Sequence, residues 1–565
     1  MSLVHTSNTV EIVKVAPNAR YPWWRAAALG VLLLLALALY PFLYRTARPD
    51  TALDNYFFLP FLRLWTLSFL PYFAACALVL ATRPSQGRWR WIELGIVLAG
   101  AFVLRTVLLP LPPGFSRDSW RYLWDARVTL HGFSPYIYLP SSAPLKPLID
   151  TVLYPRMRFR ASPTIYPPGA QAIFLLSYLL GGSNLYFLKG IFLIFDMVTC
   201  GALVVFLNRK RIDALRVLIY AWCPLPIIEF AVQGHVDVIT LTFSILALLS
   251  FSNNSIGGRM LTGFLVGMAA LTKIYPILLL VVIVPDMMRD AAERTRMAER
   301  NVATESNMEA EGNMATARVA TTIYEGGPFR RIVVATLAVA MFPRTIVTVA
   351  HHMRGRDYAL LAVCFLTILL GYLPYYIMGH GQVLGYFTIY SSEQGENAGF
   401  IQLVMQWISY ANKLSLQTAV AREHLVSLLF IVAVSLVVFV LRLRQRMSTP
   451  MAALLLFGAI LAVSPHVFPW YTTVLLVWIP LLIGPLWTGR RLIGKSLAVG
   501  VAWYFICLSL LQYYYNSWPH HRIPDWTSYY QVAYLPIVII LAIAAIVGVI
   551  HMPGIQKGKQ YANRQ

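Results

Sequence analysis

The stretch "HLVSLLFIVAVSLVVFVLRLRQR", residues 424–446, runs from His424 to Leu441 without an acidic residue, lysine or arginine, then sets Arg442, Arg444 and Arg446 in close succession. At about 1.5 Å per residue the apolar part covers roughly 27 Å as a helix, close to the thickness of a bilayer's hydrocarbon core. The arginines that follow mark the side on which the chain emerges, because short cytoplasmic loops are enriched in Lys and Arg. A membrane span and its orientation are both readable from this one segment.

The same pattern recurs along the chain. Of 565 residues, 58% are apolar and only 12% are charged, and the mean hydropathy is +0.62. An ordinary soluble domain carries about 25% charged residues, so that class is excluded. Apolar runs fall at residues 26–44, 61–82, 92–111, 168–207, 214–232, 236–252, 260–285, 358–378, 424–441, 451–464, 470–487, 493–512 and 530–550. Two of them are irregular: 168–207 is broken at "GGSNLYFLKG", and 260–285 is interrupted at "KIYP". The expected fold is therefore all-α, a polytopic transmembrane helical protein of about 11 to 14 spans, with an external loop containing interfacial helices.

The net charge of +22 gathers in short loops and one long segment, which is a topology signal and not a nucleic-acid footprint. Arg83, Arg88 and Arg90, then Arg209, Lys210 and Arg211, then Arg490, Arg491 and Lys495 join the Arg442 cluster as cytoplasmic markers. Counting outward from them, the loops 112–167, 379–400, near 465, and 513–529 face the external side. The expected organisation is a cytoplasmic N-terminus (1–25), N-terminal spans (26–111), an external catalytic loop (112–167), a membrane module (168–285), a basic, partly disordered cytoplasmic loop (286–357), C-terminal spans (358–550) and a cytoplasmic tail (551–565). No cleavage site follows the first apolar run, which reads as a retained anchor. Cys76, Cys200, Cys223, Cys364 and Cys507 all lie in apolar runs and read as buried free thiols.

The external loops hold most of the chemically interesting residues. "GFSRDSWRYLWDARVTLHGF" begins after Pro112-Pro113; Ser116 can cap a helix from Arg117 to Leu130 that Gly132 stops. On that helix Asp118, Arg121, Tyr122 and Asp125 share a face by i, i+3, i+4, i+7 spacing. The rest of the helix is largely apolar, which predicts a helix along the membrane surface with its polar stripe turned away. Read blandly, the charges are a dipole-favoured Asp and an i,i+4 ion pair, together worth roughly 1 kcal/mol. The loop ends in "SPTIYPPGAQ", with Tyr166 at the water interface. "EFAVQGHVDV" places Glu229, Gln233, His235 and Asp237 at the same face, as either a site or a hydrogen-bonded helix connection. Lys273 of "LTKIYP" lies mid-run, where an unpaired ammonium costs at least about 2.5 kcal/mol, so a broken helix opening onto a polar cavity is expected there. His466 in "SPHVFPWY" and His520, His521 and Arg522 in "YYYNSWPHHRIPDW" add cations beside aromatic rings, suited to phosphate and sugar faces or simply to an aromatic girdle.

The combination of the D-x-x-R-Y-x-W-D helix, "GFSPYIY" and "TIYPP" resembles polytopic glycosyltransferases of the GT-C class, in particular bacterial polyprenol-phosphate-mannose-dependent mannosyltransferases. The resemblance is dense over 114–285 and fades afterwards to shared topology. It implies that Asp118 is the essential acidic residue of the first large external loop, that Asp125 is a second acidic position, and that the 234–237 turn contributes to the substrate cavity. The activity so implied is inverting transfer of a sugar, mannose in the first instance, from a polyprenyl-phosphate donor to an external glycan, lipid or protein acceptor. Asp118 would be the catalytic base. Arg121, Asp125, Tyr166, His235, Asp237, Lys273, His466 and Arg522 would bind substrate or phosphate. The setting would be a bacterial plasma membrane, with the site on its external face and the product a cell-envelope glycan. A divalent cation shared by Asp118 and Asp125 would have to bridge roughly 10 Å along a helix, which disfavours it, and no cofactor is called for. Two other readings remain open at this level: a lipid-carrier oligosaccharide ligase, and a transporter or flippase of lipid-linked sugars.

Overall fold

The computed structural model describes residues 23–47, 58–311, 355–485, 487–488, 491–492, 494–516 and 526–550. The described chain is built of helices, apart from a two-residue antiparallel pairing of Trp487–Thr488 with Arg491–Leu492. Among the described residues, seven helical segments are long and apolar enough to cross a bilayer: Trp23–Thr46, Leu59–Ala81, Arg88–Leu108, Leu185–Arg209, Gly355–Met378, Leu416–Leu443 and Gly494–Tyr514. An eighth candidate, Ala214–Ala221 with Pro224–Val232, is bent by 48°. Shorter apolar helices such as Asp237–Phe251, Ile256–Thr272 and Thr449–Ala462 pack among them.

Both irregular runs are broken where expected. Pro168–Gly181 ends at Gly182, whose φ of 60° suits a residue without a Cβ, and Leu185–Arg209 starts anew with the Asn184 side chain accepting from the Tyr186 and Phe187 amides. Ile256–Thr272 stops at Lys273, which takes extended backbone (φ −145°, ψ 137°), and a 3-10 turn, Tyr275–Leu278, leads into the next helix. Close helix packing relies on small residues, as it must where lipid tails remove the hydrophobic incentive. A Cβ at Gly263 would lie 2.2 Å from the Leu360 carbonyl oxygen, and one at Gly267 would lie 2.8 Å from Thr367 Cβ. Glycines four apart thus let Ile256–Thr272 lie against Gly355–Met378.

The charged side chains gather at two opposite ends of the bundle. At one end Arg25 reaches Asp213 (3.4 Å) and Glu93 (3.5 Å), Arg259 reaches Asp357 (3.4 Å), and Arg442 pairs with Asp286. Glu93 lies in the second turn of the helix Arg88–Leu108, about 30 Å long. Just beyond its far end Lys189 Nζ donates to the Leu109 (2.5 Å) and Leu111 (2.6 Å) carbonyls. The loops carrying the basic clusters therefore meet at one end, and the loop containing Asp118 leaves from the other. Between them, Arg105 pairs with Asp196 (2.5 Å), which also accepts from Tyr220 (2.6 Å), an ion pair fully enclosed among helices.

Candidate active site

The helix Asp118–Leu130 forms as its sequence suggests. Ser116 Oγ accepts from the Asp118 amide (3.2 Å). At the other end Gly132 takes φ 80°, so that its amide and that of Phe133 turn back onto the Thr129 (3.0 Å) and Val128 (3.1 Å) carbonyls. Its placement differs from expectation. The helix does not lie on a surface with its polar stripe in water: Arg121, Tyr122 and Asp125 are all buried. The loop segments 133–166 wrap over the polar face and supply the partners that water would have supplied.

Those partners decide what Arg121 and Asp125 do. Arg121 Nε donates to Asp125 Oδ1 (2.7 Å), Nη1 to the Phe159 carbonyl (2.7 Å) and Nη2 to the Ser162 carbonyl (3.0 Å). Asp125 Oδ2 accepts from Gln171 Nε2 (3.3 Å), which also donates to Thr164 Oγ1 (2.9 Å). All three guanidinium nitrogens are engaged by protein, so the structure uses this pair to bind the returning loop to the helix.

Asp118 is different. It keeps partial exposure, and the Tyr166 hydroxyl donates to its Oδ2 at 3.2 Å. Tyr166 is held in turn by edge-on contact with Tyr122 (4.8 Å) and Phe174 (5.7 Å). Burial pushes the Asp118 carboxyl above its ordinary range, against the lowering influence of the Tyr166 hydroxyl, the Lys273 charge, Ser116 and Arg158. The other sequence candidates converge on the same end. Lys273 Nζ lies 3.3 Å from Asp237 Oδ1 and 4.2 Å from the centre of the Tyr471 ring. Tyr471 and Tyr390 share a hydroxyl hydrogen bond (3.0 Å).

The turn 233–237 has two jobs. Gln233 Oε1 accepts from the amides of Gly114 (3.0 Å), Phe115 (3.0 Å) and Ser116 (3.3 Å), fixing the approach to Asp118. Gly234, at φ 71°, lets Ser119 and the Lys189 stem close in, 3.2 and 3.3 Å from where its Cβ would be. Asp237, by contrast, faces Lys273. His235 Nε2 is 3.3 Å from Glu229 Oε2, which also accepts from Tyr513 (3.0 and 3.3 Å to its two oxygens). The His235 ring stacks on Trp470 (3.8 Å), Trp470 on Phe468 (4.5 Å), and Phe468 on His466 (5.6 Å). "HVFPW" thus makes a column of rings between two histidines.

Glu393 went unremarked in the sequence. It accepts from Tyr386, and its Oε2 is 2.9 Å from His466 Nε2, whose Nδ1 is 2.9 Å from Asn397 Oδ1. The Tyr386 amide donates to Thr164 O (3.0 Å) and the Val467 amide to Asn397 O (2.8 Å). The segment 386–399 therefore straps the Asp118 loop to the 464–471 segment. "SSEQGENAG" offered a signal, an acid among small residues in a loop on the same face. Arg522, with His520 and His521, lies outside the described residues. Among the described residues no three His, Cys, Asp or Glu side chains converge as metal ligands would.

Residues 78–289 match the MptA_B family model, alpha-(1->6)-mannopyranosyltransferase, N-terminal domain. No curated protein and no solved structure matches the chain. The matched segment takes in Asp118, Tyr166, the 233–237 turn and Lys273. The chain is an integral-membrane glycosyltransferase of the mannosyltransferase kind.

Proposed function

From the premise of a mannosyltransferase domain over residues 78–289, we propose that the protein transfers mannose from a polyprenyl-phosphate donor to an acceptor hydroxyl on the external side of the membrane. The observation that carries this reading is Asp118 itself. It is a partly exposed carboxylate, hydrogen-bonded by one tyrosine, in a cluster that also holds the Lys273 ammonium. The cluster sits at the end of the bundle opposite the basic loops, which on the positive-inside rule is the external end.

In the proposed step the acceptor oxygen attacks the anomeric carbon while the bond from that carbon to the phosphate oxygen breaks. The bonding pair leaves with the polyprenyl phosphate, and the acceptor proton passes to Asp118. The anomeric carbon passes through an oxocarbenium-like state, as in glycoside hydrolysis. A base works best when its pKa approaches the working pH, and burial moves Asp118 in that direction. Tyr166 holds the carboxylate by a hydrogen bond to Oδ2. Inversion yields the α linkage in the family's description only from a β-linked donor.

The test is sugar transfer by the purified protein from labelled polyprenyl-phosphate-mannose. Wild type should turn over, and Asp118→Asn should lose about 10²-fold to 10⁴-fold in kcat while keeping its thermal unfolding. Full activity in the Asn variant would remove the base assignment.

A further inference from the structure

The leaving phosphate needs an accessible cation, and Arg121 is buried with each of its three nitrogens already donating to protein. The segment it holds, "YPRMRFR", carries three arginines at alternate positions, and they are not alike. Arg156 Nη1 donates to the Val152 carbonyl (3.0 Å), and its guanidinium lies over Trp120 (5.4 Å). Arg160 Nη2 donates to the Pro155 carbonyl (2.7 Å), over Tyr154 (4.7 Å). Arg158 is exposed and has no hydrogen bond, ion pair or ring partner among the described residues.

The backbone beside it is unusual. Phe159 takes φ 57°, a region that bulky side chains disfavour, and its ring is left 62% exposed. The carbonyl of that residue is the one gripped by Arg121 at 2.7 Å. A buried ion pair on the Asp118 helix thus holds a left-handed turn that neither glycine nor ring burial stabilises. Strain of this kind persists where the surroundings enforce it, commonly at functional sites. What the turn presents is the Arg158 guanidinium, near enough for its charge to act on Asp118, as does that of Lys273.

Resting on the transferase reading above, we propose that Arg158 binds the phosphate of the lipid-linked donor together with Lys273, the other cation whose charge reaches Asp118, and that the Arg121–Asp125 pair is its positioning device. A guanidinium suits this role because its planar fork can grip two phosphate oxygens at once and stays charged at any working pH. Lys273 alone is half-committed to Asp237. The second cation also offsets the negative charge that builds on phosphate as the bond to the sugar breaks.

The experiment measures binding of a polyprenyl monophosphate, the leaving product, by the full-length protein in neutral detergent, so that it needs no turnover. Arg158→Ala should weaken binding roughly tenfold, Arg158→Lys should recover part of the loss, and Arg160→Ala should bind as wild type. The unphosphorylated polyprenol should bind wild type and Arg158→Ala equally. Equal phosphate binding by wild type and Arg158→Ala would overturn the proposal, as would an equal loss in Arg160→Ala. A defect seen only in vesicles containing anionic phospholipid would also overturn it, assigning Arg158 to membrane headgroups. If Arg158→Ala loses affinity while wild type transfers no mannose, the transferase reading fails and the phosphate site stands.

Discussion

Burial and the Tyr166 hydroxyl pull the Asp118 carboxyl in opposite directions. The Tyr166 hydrogen bond favours the charged carboxylate, while burial opposes it and prevails. As a base Asp118 must be deprotonated, so kcat/KM should fall as pH drops through its raised pKa. In Tyr166→Phe the lowering influence is gone, the pKa rises further, and the acid limb of the profile should move to higher pH. A pH series of initial rates reads this directly, and a limb that stays in place or moves to lower pH would show that Asp118 is not the titrating base. At the same scale, the sequence singled out residues that the structure places near Asp118 but not their partners. The i,i+4 spacing of Arg121 and Asp125 announced an ion pair; that Arg121 spends its other nitrogens on Phe159 and Ser162 carbonyls, 38 and 41 positions away, is outside what local spacing can carry.

Helix breaks were legible because they have local causes. "KIYP" ends one helix because a proline restricts the residue before it and a lysine needs a polar neighbour; Asp237 is that neighbour. Glycine spacing was equally visible, yet its meaning depended on which helix lay opposite. Gly263 faces the Leu360 carbonyl with no room for a Cβ, so Gly263→Leu should force Ile256–Thr272 and Gly355–Met378 apart. The expected cost is about 1–3 kcal/mol or more, as for other overpacked sites, read as a lower unfolding temperature in detergent. Gly257→Leu, where the added side chain meets open space, should unfold near wild type. Equal stability of both variants would remove the close-packing account.

Across the described residues, most charge lies at two ends, with the Arg105–Asp196 pair between them. The basic loops meet at one, and Asp118, Lys273 and His466 gather at the other. Under the proposed function the second end would be external, as the positive-inside rule expects. All five native cysteines are buried, so single introduced cysteines can report sidedness against a quiet background. Ser141→Cys, on the exposed part of the Asp118 loop, should react with a membrane-impermeant maleimide in intact cells. Asn253→Cys, at the opposite end, should react only after permeabilisation. The reverse pattern would place the site in the cytoplasm and exclude an external acceptor.

The amino-acid sequence determined what depends on neighbours along the chain. It determined the membrane class and the breaks in two of the apolar runs, because hydropathy and charge act on each segment through the bilayer independently of the other segments. It also brought out Asp118 and Lys273, since an ionisable group in so apolar a chain is costly wherever it sits. Only the tertiary structure decided which charges are spoken for. Arg121 looked like a phosphate ligand and is committed to the loop; Gln233 looked like part of a polar turn and caps three amides; Glu393 looked like a loop acid and joins His466. Partner choice among buried polar groups is set by geometry between segments far apart in the chain, where each donor must find an acceptor within about 3 Å or lose its hydration uncompensated.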